Sequence, residues 1–399
     1  MRSVPAFPLS ARFALGLALA LSVSAVRAAE THQGEDLSGR PFSGRDLTDA
    51  VFKGCKLDNA RFNQTIGANT SFESSTGKEV NFSSMQVSDA DFSKTQFPKA
   101  DFRNSDLRSS NFRRAELEEA NFQNAVLLES NFEQANLTKA NFIEAKFNEK
   151  AKFTKANLAG AKFKNNSLEG SDFSKAILTE AVFNGVKFEG ADFSGSTVTG
   201  IDFSEANLTD VDLSKLTFTN ANLSTTALVE ADLKGSTFSD TRFDRAEFQF
   251  AKLGGTQFSR CSFNNVSFYR TDISKIDFGN SSMTGAVFDL KKLEGTNFGG
   301  ANLERAKFGA EKISKVNFHG ANLKFADFSN AQLFNVDFSG ADLTNARFDN
   351  AFLTGCDFSG ANLSTVIWDA DNLKKNLFDP DTRFPSSYTP IPTQMRTKR

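Results

Sequence analysis

Residues 120–142 read ANFQN AVLLE SNFEQ ANLTK ANF, and every fifth residue of this stretch is Phe or Leu. The same spacing runs over residues 37–147 and, after one inserted residue that we place at Lys150, over residues 153–378. Of the 69 central positions in these two series, 67 are apolar. The chain is therefore built from a repeat of five residues. We expect one elongated body rather than the two or three globular domains that 399 residues would otherwise suggest.

A period of five fits neither a regular helix nor a long strand. Five steps of about 100° place successive apolar residues on different sides of a helix, and a strand needs alternation by two. The residue two before each centre is Ala, Ser, Thr, Cys or Val in 57 of the 69 cases. In a short extended segment these two positions share one face, so both point inward. Each pentapeptide is predicted to form one flat side of a coil, and its remaining residues turn the corner.

The central residues alternate between Phe and Leu or Ile with a period of ten, as over residues 298–313. A four-sided coil would stack Phe on Phe and Leu on Leu, whereas a three-sided coil would put Phe over Leu on every face. The alternation therefore favours a square coil of 20 residues. Two central positions are glycines, Gly67 and Gly77. Because they supply no apolar side chain, we expect a distorted coil or a protruding loop over residues 62–82.

Segments such as ANFQN, ANLTK, ADFSG (191–195) and ADLTN (341–345) resemble the A(D/N)LXX signature of the pentapeptide repeat family. The resemblance covers residues 35 to 378, and it implies an all-β, right-handed quadrilateral β-helix. At about 4.8 Å per stacked strand, roughly 17 coils would make a rod on the order of 80 Å long. Backbone ladders then close between coils, and only the two ends of the rod are open edges.

The two ends of the chain differ from the repeat. Residues 1–28 combine a basic start, an apolar run too short to span a bilayer and small residues near the end, which is typical of a cleavable signal peptide. We therefore expect an exported protein, periplasmic, lumenal or extracellular, with no membrane span in the mature chain. The β-helix is predicted over residues 29–378, although residues 29–36 precede the regular pattern. A short helix over 369–378 would cap the last coil, and residues 379–399 would form a loose tail.

The sequence contains no constellation typical of a catalytic, cofactor-binding or metal site, so we expect a non-enzymatic protein without a cofactor. The two histidines, His32 and His319, lack both the third group that orients a catalytic base and the convergent ligands of a zinc site. The three cysteines, Cys55, Cys261 and Cys356, fall at small inward positions. We interpret them as buried small side chains rather than as disulfide partners, nucleophiles or ligands.

The charge of the chain argues against a nucleic-acid partner. The net charge is −2 at pH 7, and removal of the three arginines within residues 1–28 would change it to −5, with Lys and Arg mixed among the acids. Some members of the pentapeptide repeat family resemble duplex DNA and inhibit DNA gyrase, so a DNA-mimicking topoisomerase inhibitor is the alternative function that the resemblance implies. The export signal and the mild charge disfavour it. No basic stripe predicts direct binding of nucleic acid.

A second alternative comes from a flat, threonine-rich face. Residues 197–199, 217–219 and 237–239 read TVT, TFT and TFS at successive steps of 20 residues. Flat Thr-x-Thr arrays resemble those of ice-binding solenoids, so ice binding is a hypothesis that a thermal-hysteresis measurement would test.

Phenylalanine gives the clearest indication of function. The chain has 44 Phe against 2 Tyr and 1 Trp, and 37 of the Phe are central residues. A few apolar residues occupy outward positions on two adjacent faces, and exposed apolar patches often mark interaction sites. We therefore predict a scaffold or interaction rod that binds another protein or its own copy there. The candidate interaction patch consists of Val229, Phe250, Tyr269, Val287, Leu290, Phe334 and Phe352.

Overall fold

The computed structural model describes residues 29–148, 150–309, 312–368 and 375–386. In these ranges the backbone forms short parallel strands and isolated parallel bridges, with no helix. Bridged residues are 20 positions apart through most of the chain, as Asp91 and Asn111 are. One turn of the coil therefore takes four pentapeptides, and the predicted right-handed quadrilateral β-helix is confirmed.

The named strands are two or three residues long, because each side of the coil turns a corner after one pentapeptide. They pair only with the coil above or below, in the orders β1-β2, β3-β4, β5-β6, β7-β8-β9, β10-β11-β12-β14 and β13-β15. In chain order they are β1 Thr31–Gln33, β2 Val51–Lys53, β3 Ile66–Ala68, β4 Gln86–Ser88, β5 Lys162–Lys164, β6 Val182–Asn184, β7 Thr217–Thr219, β8 Thr237–Ser239, β9 Gln257–Ser259, β10 Lys292–Glu294, β11 Lys312–Ser314, β12 Gln332–Phe334, β13 Arg347–Phe348, β14 Phe352–Thr354 and β15 Ile367–Trp368.

In many pentapeptides an outward Asp or Asn fixes the corner that follows it. In one representative turn, the N–H of Thr138 donates to Oδ1 of Asn136 at 3.2 Å. The N–H of Ala140 then donates to the carbonyl of Leu137 at 2.9 Å. Between them Lys139 has φ 57°, the left-handed conformation that Gly and Asn adopt most easily. The Asp/Asn preference of the repeat is thus a local turn-forming device.

Central residues fill the interior, and their phenylalanine rings stack from coil to coil. The rings of Phe102 and Phe122 lie 4.7 Å apart with an interplanar angle of 2°, and those of Phe112 and Phe132 lie 4.8 Å apart at 4°. These two stacks occupy opposite sides of the coil and meet edge to face, with 5.6 Å between the rings of Phe112 and Phe122. Both geometries are favourable for aromatic pairs. The predicted stacking of Phe on Phe is confirmed.

Several serines and threonines at the small inward positions donate hydrogen bonds to backbone carbonyls of the preceding coil. Ser105 Oγ donates to the carbonyl of Phe82 at 3.0 Å, and other Ser and Thr residues repeat this bond. Cys55, Cys261 and Cys356 occupy the same position and are buried, as predicted. Burial raises the pKa of the Cys55 thiol, raises that of Cys261 to about 11 and raises that of Cys356 to about 12.

Residues 62–82 form a regular part of the coil, so the prediction of a distorted coil or a loop is wrong. Strand β3 contains Gly67 and pairs in register with β4. A Cβ atom on Gly67 would lie 2.7 Å from the backbone nitrogen of Thr48, and one on Gly77 would lie 2.7 Å from Cγ2 of Val80. The first glycine lets the backbone approach the preceding coil, and the side chain of Val80 occupies the space beside the second.

The coil begins earlier than the pattern of apolar residues does. His32 was expected before the regular repeat, but it lies in β1 opposite Phe52 and takes the position of a central residue. Its ring stacks on Phe52 at 5.3 Å, and its two nitrogens lie 3.1 Å and 3.0 Å from carboxylate oxygens of Glu30 and Glu35. Burial lowers the pKa of His32, but the hydrogen bonds and charges of the two carboxylates outweigh it. The net pKa is above its usual value.

The inserted residue lies where the sequence indicates. Val126 bridges Lys146 at a distance of 20 residues, whereas Asn131 bridges Lys152 at 21. The extra residue therefore falls between these two sides, which agrees with an insertion at Lys150.

At the other end, the hydrogen-bonded stack extends beyond the predicted boundary at 378. Arg383 bridges Asn362, and the ring of Phe384 packs edge to face on that of Phe378 at 5.0 Å. Phe384 therefore joins the core rather than a loose tail. The described residues of the predicted cap, 375–378, are not helical. The rest of that cap, the signal segment 1–28 and residues 387–399 lie outside the described residues.

Candidate functional site

Outward aromatic side chains are concentrated in the C-terminal half of the rod. The exposed ones are Phe250, Tyr269, Phe325 and Phe352. Nearer the N terminus, the large exposed apolar side chains of the described residues are two isoleucines, Ile66 and Ile177. Two of the aromatic residues, Phe250 and Phe325, occupy corner positions with φ near 60°.

The same corner of three successive coils carries Phe250, then Arg270 and then Leu290. The guanidinium carbon of Arg270 lies 5.9 Å from the ring centroid of Phe250 and 5.0 Å from that of Tyr269. Arg270 thus joins two of the predicted patch residues by cation–π contacts. The sequence pattern identified the two aromatic residues but not the arginine between them.

The prediction that Leu290 faces outward is wrong, since its side chain is 3% exposed. The reason is its neighbour Lys291, which occupies the position that a small inward residue takes in other pentapeptides. Burying an ammonium group is costly, so Lys291 is exposed and Leu290 turns inward in its place. A lysine at a small inward position was the sequence signal for this change.

The altered corner lies beside a recess of about 480 Å³, which we call the groove. Lys292 forms an ion pair with Glu294 beside the groove, and this contact raises the pKa of Lys292 and lowers that of Glu294. Neither Arg270 nor Lys291 has an ion-pair partner within 4.0 Å among the described residues. The groove therefore combines an apolar wall with two cations that form no ion pair among the described residues. Its lining includes Phe250, Arg270, Asp272, Leu290, Lys291 and Lys292.

A second aromatic cluster lies on the adjacent face, on the sheet that begins with β10. The rings of Phe334 and Phe352 lie 5.7 Å apart, and Lys312 Nζ is 5.4 Å from the ring centroid of Phe334. The predicted neighbourhood of these two phenylalanines is confirmed. Val229 and Val287 are only half-buried outward residues.

Phe325 lies outside the predicted patch, although it repeats the arrangement of Phe250. It occupies a corner position, and the guanidinium carbon of Arg305, from the same corner of the preceding coil, lies 5.3 Å from its ring centroid. The sequence singles it out together with Phe250, Phe334 and Phe352 as one of four phenylalanines of residues 29–378 outside central positions, although the predicted patch does not include it.

The threonine-rich face is regular over a short distance. Thr217 of β7 lies beside Thr237 of β8, and Gln257 of β9 follows. The array of outward threonines therefore ends at β9, and ice binding stays a prediction.

The described part of the chain shows no group of three or more His, Cys, Asp and Glu side chains that could hold a metal ion. His319 Nδ1 lies 2.8 Å from the hydroxyl of Ser339, at an exposed corner. Within the same ranges, no helical segment has the length and hydropathy needed to cross a membrane.

A square parallel coil with an Asp/Asn-fixed corner after each side places the protein among the quadrilateral β-solenoids. A family model described as a pentapeptide repeat region matches residues 45–122, 120–193 and 211–288. A model of eight-copy pentapeptide repeats matches residues 187–224, 271–309, 312–340 and 337–366. The chain belongs to the pentapeptide repeat family.

Solved structures of pentapeptide repeat proteins match this chain at low identity. HetL of the cyanobacterium Nostoc sp., involved in heterocyst differentiation regulation, is 19% identical, with 82% of this chain and 91% of HetL covered and a TM-score of 0.15. QnrB1, a plasmid-mediated fluoroquinolone resistance protein, is 20% identical, with 52% and 93% covered and a TM-score of 0.21. Scores this low carry no argument about function. No curated protein matches the chain.

Proposed function

We propose that this protein is a non-enzymatic, exported rod that binds another protein, or a second copy of itself, through the outward aromatic side chains of its C-terminal half. The observation that carries the proposal is Phe250, a large aromatic residue that is 46% exposed and held in the left-handed conformation at a corner.

The corner position of Phe250 does not need an aromatic side chain for folding. The left-handed conformation costs roughly 1–2 kcal/mol for a residue with a Cβ atom, and corresponding corners of other coils carry Gly, Asn, Lys or Glu. The other corners share this conformation, so the feature that sets Phe250 apart is an exposed aromatic ring, and this supports a role in binding. The contact with Arg270 holds the ring against the surface in a defined orientation.

The double substitution Phe250→Ser with Tyr269→Ser tests the binding proposal. We would compare the double variant with the unmodified chain in two measurements. The first is oligomeric mass by light scattering. The second is capture of partners by each tagged full-length chain from the compartment it occupies. We expect one of these readouts to fall in the double variant. Ile177→Ser is the matched control, because Ile177 is also exposed but lies far from the aromatic clusters. Unchanged mass and unchanged capture both in this double variant and in Phe334→Ser with Phe352→Ser would overturn the proposal.

The proposed export rests on the signal-like segment 1–28 and has its own test. Cell fractionation with N-terminal sequencing of the recovered protein is expected to find a chain that begins at Ala29 outside the cytoplasm. Recovery of the full-length chain from the cytoplasm would contradict export and leave the binding proposal to its own experiment.

The alternative, a DNA-mimicking topoisomerase inhibitor, has less support. Cations lie beside acids along the rod, as in the ion pairs of Lys234 with Asp232 and of Arg260 with Asp240. Such pairing weakens the continuous negative potential that mimicry of duplex DNA requires. A supercoiling assay with DNA gyrase is expected to show no inhibition.

A further inference from the structure

The groove differs from the other exposed apolar sites of the rod in its charge. Its apolar wall is formed by Phe250 and by the corner at Leu290. Three cations line it, Arg270, Lys291 and Lys292, and Lys292 is paired with Glu294. Two cations therefore face the recess without an ion-pair partner within 4.0 Å among the described residues.

We propose that the groove binds an acidic peptide segment of a partner protein, with an aromatic or aliphatic side chain of the segment against Phe250 and a carboxylate between Arg270 and Lys291. This inference rests on the proposed binding function and specifies the chemistry of the partner. A recess of about 480 Å³ accommodates a large side chain and its flanking backbone.

Charge complementarity selects this occupant over the alternatives. A guanidinium that stacks on an aromatic ring keeps its N–H donors in the ring plane available for a carboxylate. Arg270 is held in this way by both Phe250 and Tyr269. Among the described residues of the lining, Asp272 is the one carboxylate, and its charge also acts on Lys292. A basic segment, such as the Arg- and Lys-containing end of this chain at 396–399, would meet repulsion there.

The corner column itself adds a second observation. Phe250 has the left-handed φ of 60° that most corners of the coil share, and its ring is exposed. Leu290, the next residue of the column with an apolar side chain, lacks this conformation and is turned inward. The regular corner is therefore interrupted beside the groove, which is lined by both residues.

The test is a selection of displayed random twelve-residue peptides on the immobilised full-length chain. We expect the enriched peptides to carry Asp or Glu next to Phe, Trp or Leu. One selected peptide is then labelled, and its affinity is measured by fluorescence anisotropy. The charge reversal Arg270→Glu with Lys291→Glu should weaken its binding by about tenfold or more and should select basic peptides when used as the target. Binding to the unmodified chain should also weaken with added salt.

The matched control is Lys162→Glu with Lys164→Glu, two exposed lysines of β5 that lie far from the groove. This variant has the same change in net charge and should keep the affinity of the unmodified chain. Circular dichroism and thermal midpoints of all three proteins confirm that each is folded.

Three results would overturn the inference: enriched peptides that are basic, peptide binding that is insensitive to the groove charge reversal, or no enrichment at all. Binding of a thymidine oligonucleotide that is lost in the charge-reversed variant would also overturn it, in favour of a nucleic acid. If partner capture depends on Phe334 and Phe352 but not on Arg270 and Lys291, the acidic-peptide inference fails while the proposed function stands.

Discussion

Residues 42–203, the N-terminal block, and residues 218–378, the C-terminal block, build the same square coil but place their phenylalanine ladders on different faces. In the N-terminal block the long stacks follow the central positions of Phe42 and Phe52 at 20-residue steps. In the C-terminal block they follow the other two sides. Ring contacts end at Phe203 and begin again at Phe218, with leucines at the central positions between them. The aromatic core therefore consists of two pairs of ladders in one continuous backbone stack.

The outer surfaces of the two blocks also differ. Outward positions of the N-terminal block carry mostly charged and polar residues, and its large exposed apolar side chains are aliphatic. Glu73 is an example of the charged residues, since its carboxylate contacts both Lys53 and Lys94 and has a lowered pKa because of them. Outward positions of the C-terminal block carry in addition aromatic rings paired with Arg270, Arg305 or Lys312. Because the interior and the backbone ladders define the coil, outward positions can vary without changing the fold. The two blocks therefore share one fold, but the candidate aromatic binding surfaces lie on the C-terminal block.

The largest expected effect comes from interrupting a ladder. Phe112→Ala should lower the free energy of unfolding by about 4 kcal/mol, because it leaves a cavity and removes ring contacts with Phe92, Phe102, Phe122 and Phe132. Urea titration followed by circular dichroism measures this cost.

The matched variant at the start of the second ladder is Phe218→Ala. Within the described part of the chain, the ring of Phe218 contacts one other aromatic ring, that of Phe238 at 4.6 Å, so we expect a cost of about 3 kcal/mol. Equal costs for Phe112 and Phe218 would show that ring stacking adds nothing to the burial of each ring.

The next prediction concerns whether the two blocks open independently. Cys55 lies in the N-terminal block and Cys356 in the C-terminal block, and burial raises the pKa of both thiols, so labelling at pH 8 requires local opening. Solenoid coils interact mainly with their neighbours. Phe112→Ala should therefore speed labelling of Cys55 by about a hundredfold and leave Cys356 nearly unchanged, as followed by mass spectrometry.

The reciprocal variant, Phe308→Ala in the C-terminal block, should speed labelling of Cys356 and spare Cys55. If either variant speeds both thiols equally, the rod opens as one cooperative unit and the interruption between Phe203 and Phe218 has no thermodynamic consequence.

The sequence predicts the coil well because its inward positions are repeated in pentapeptide after pentapeptide. Their spacing gives the number of sides, the stacking of like residues and the buried positions of the cysteines. One residue that departs from the repeat does not shift the strand register, because the coils above and below it keep their backbone pairing. Gly67 and Gly77 therefore stay in the coil, and their missing side chains are offset by closer backbone approach and by Val80.

The candidate site is less predictable, because it depends on local departures from the repeat. Position in the pentapeptide correctly placed Phe250 and Tyr269 outside, but it placed Leu290 outside as well. Leu290 lies inside and Lys291 outside because burying the ammonium group of Lys291 would be costly. At the N-terminal end, His32 takes a central position, and a search for apolar residues at every fifth position does not find it because histidine is polar.

A smaller effect is expected at the strained corners. Phe250→Asn should leave the free energy of unfolding unchanged or raise it by up to about 1 kcal/mol, because Asn adopts the left-handed conformation more easily and the lost cation–π contact is exposed. Phe325→Asn should behave in the same way. Thermal unfolding measures both.

Leu290→Asn is the contrasting control, since it removes a buried side chain from the same corner column and should cost about 2 kcal/mol or more. A loss above about 1 kcal/mol in Phe250→Asn would mean that the aromatic ring at this corner stabilises the fold, and its exposure would no longer argue for a binding role.

The smallest effect is a pH dependence confined to the first coil. The pKa of His32 is raised from 6.5, because its hydrogen bonds and electrostatic contacts with Glu30 and Glu35 outweigh its burial. A raised pKa in the folded state means that the charged imidazole stabilises the coil fully below about pH 6.5 and that this contribution is lost as the pH rises through the higher folded value. Amide hydrogen exchange of β1 and β2, corrected for the intrinsic effect of pH, should show protection that decreases between pH 6 and 8. His32→Leu supplies an ordinary central residue and should abolish this change, while strands of the C-terminal block should show no such change in either protein. Protection that is constant with pH in the unmodified chain, or an equal dependence in His32→Leu, would rule out His32 as the origin of a difference between the two ends of the rod.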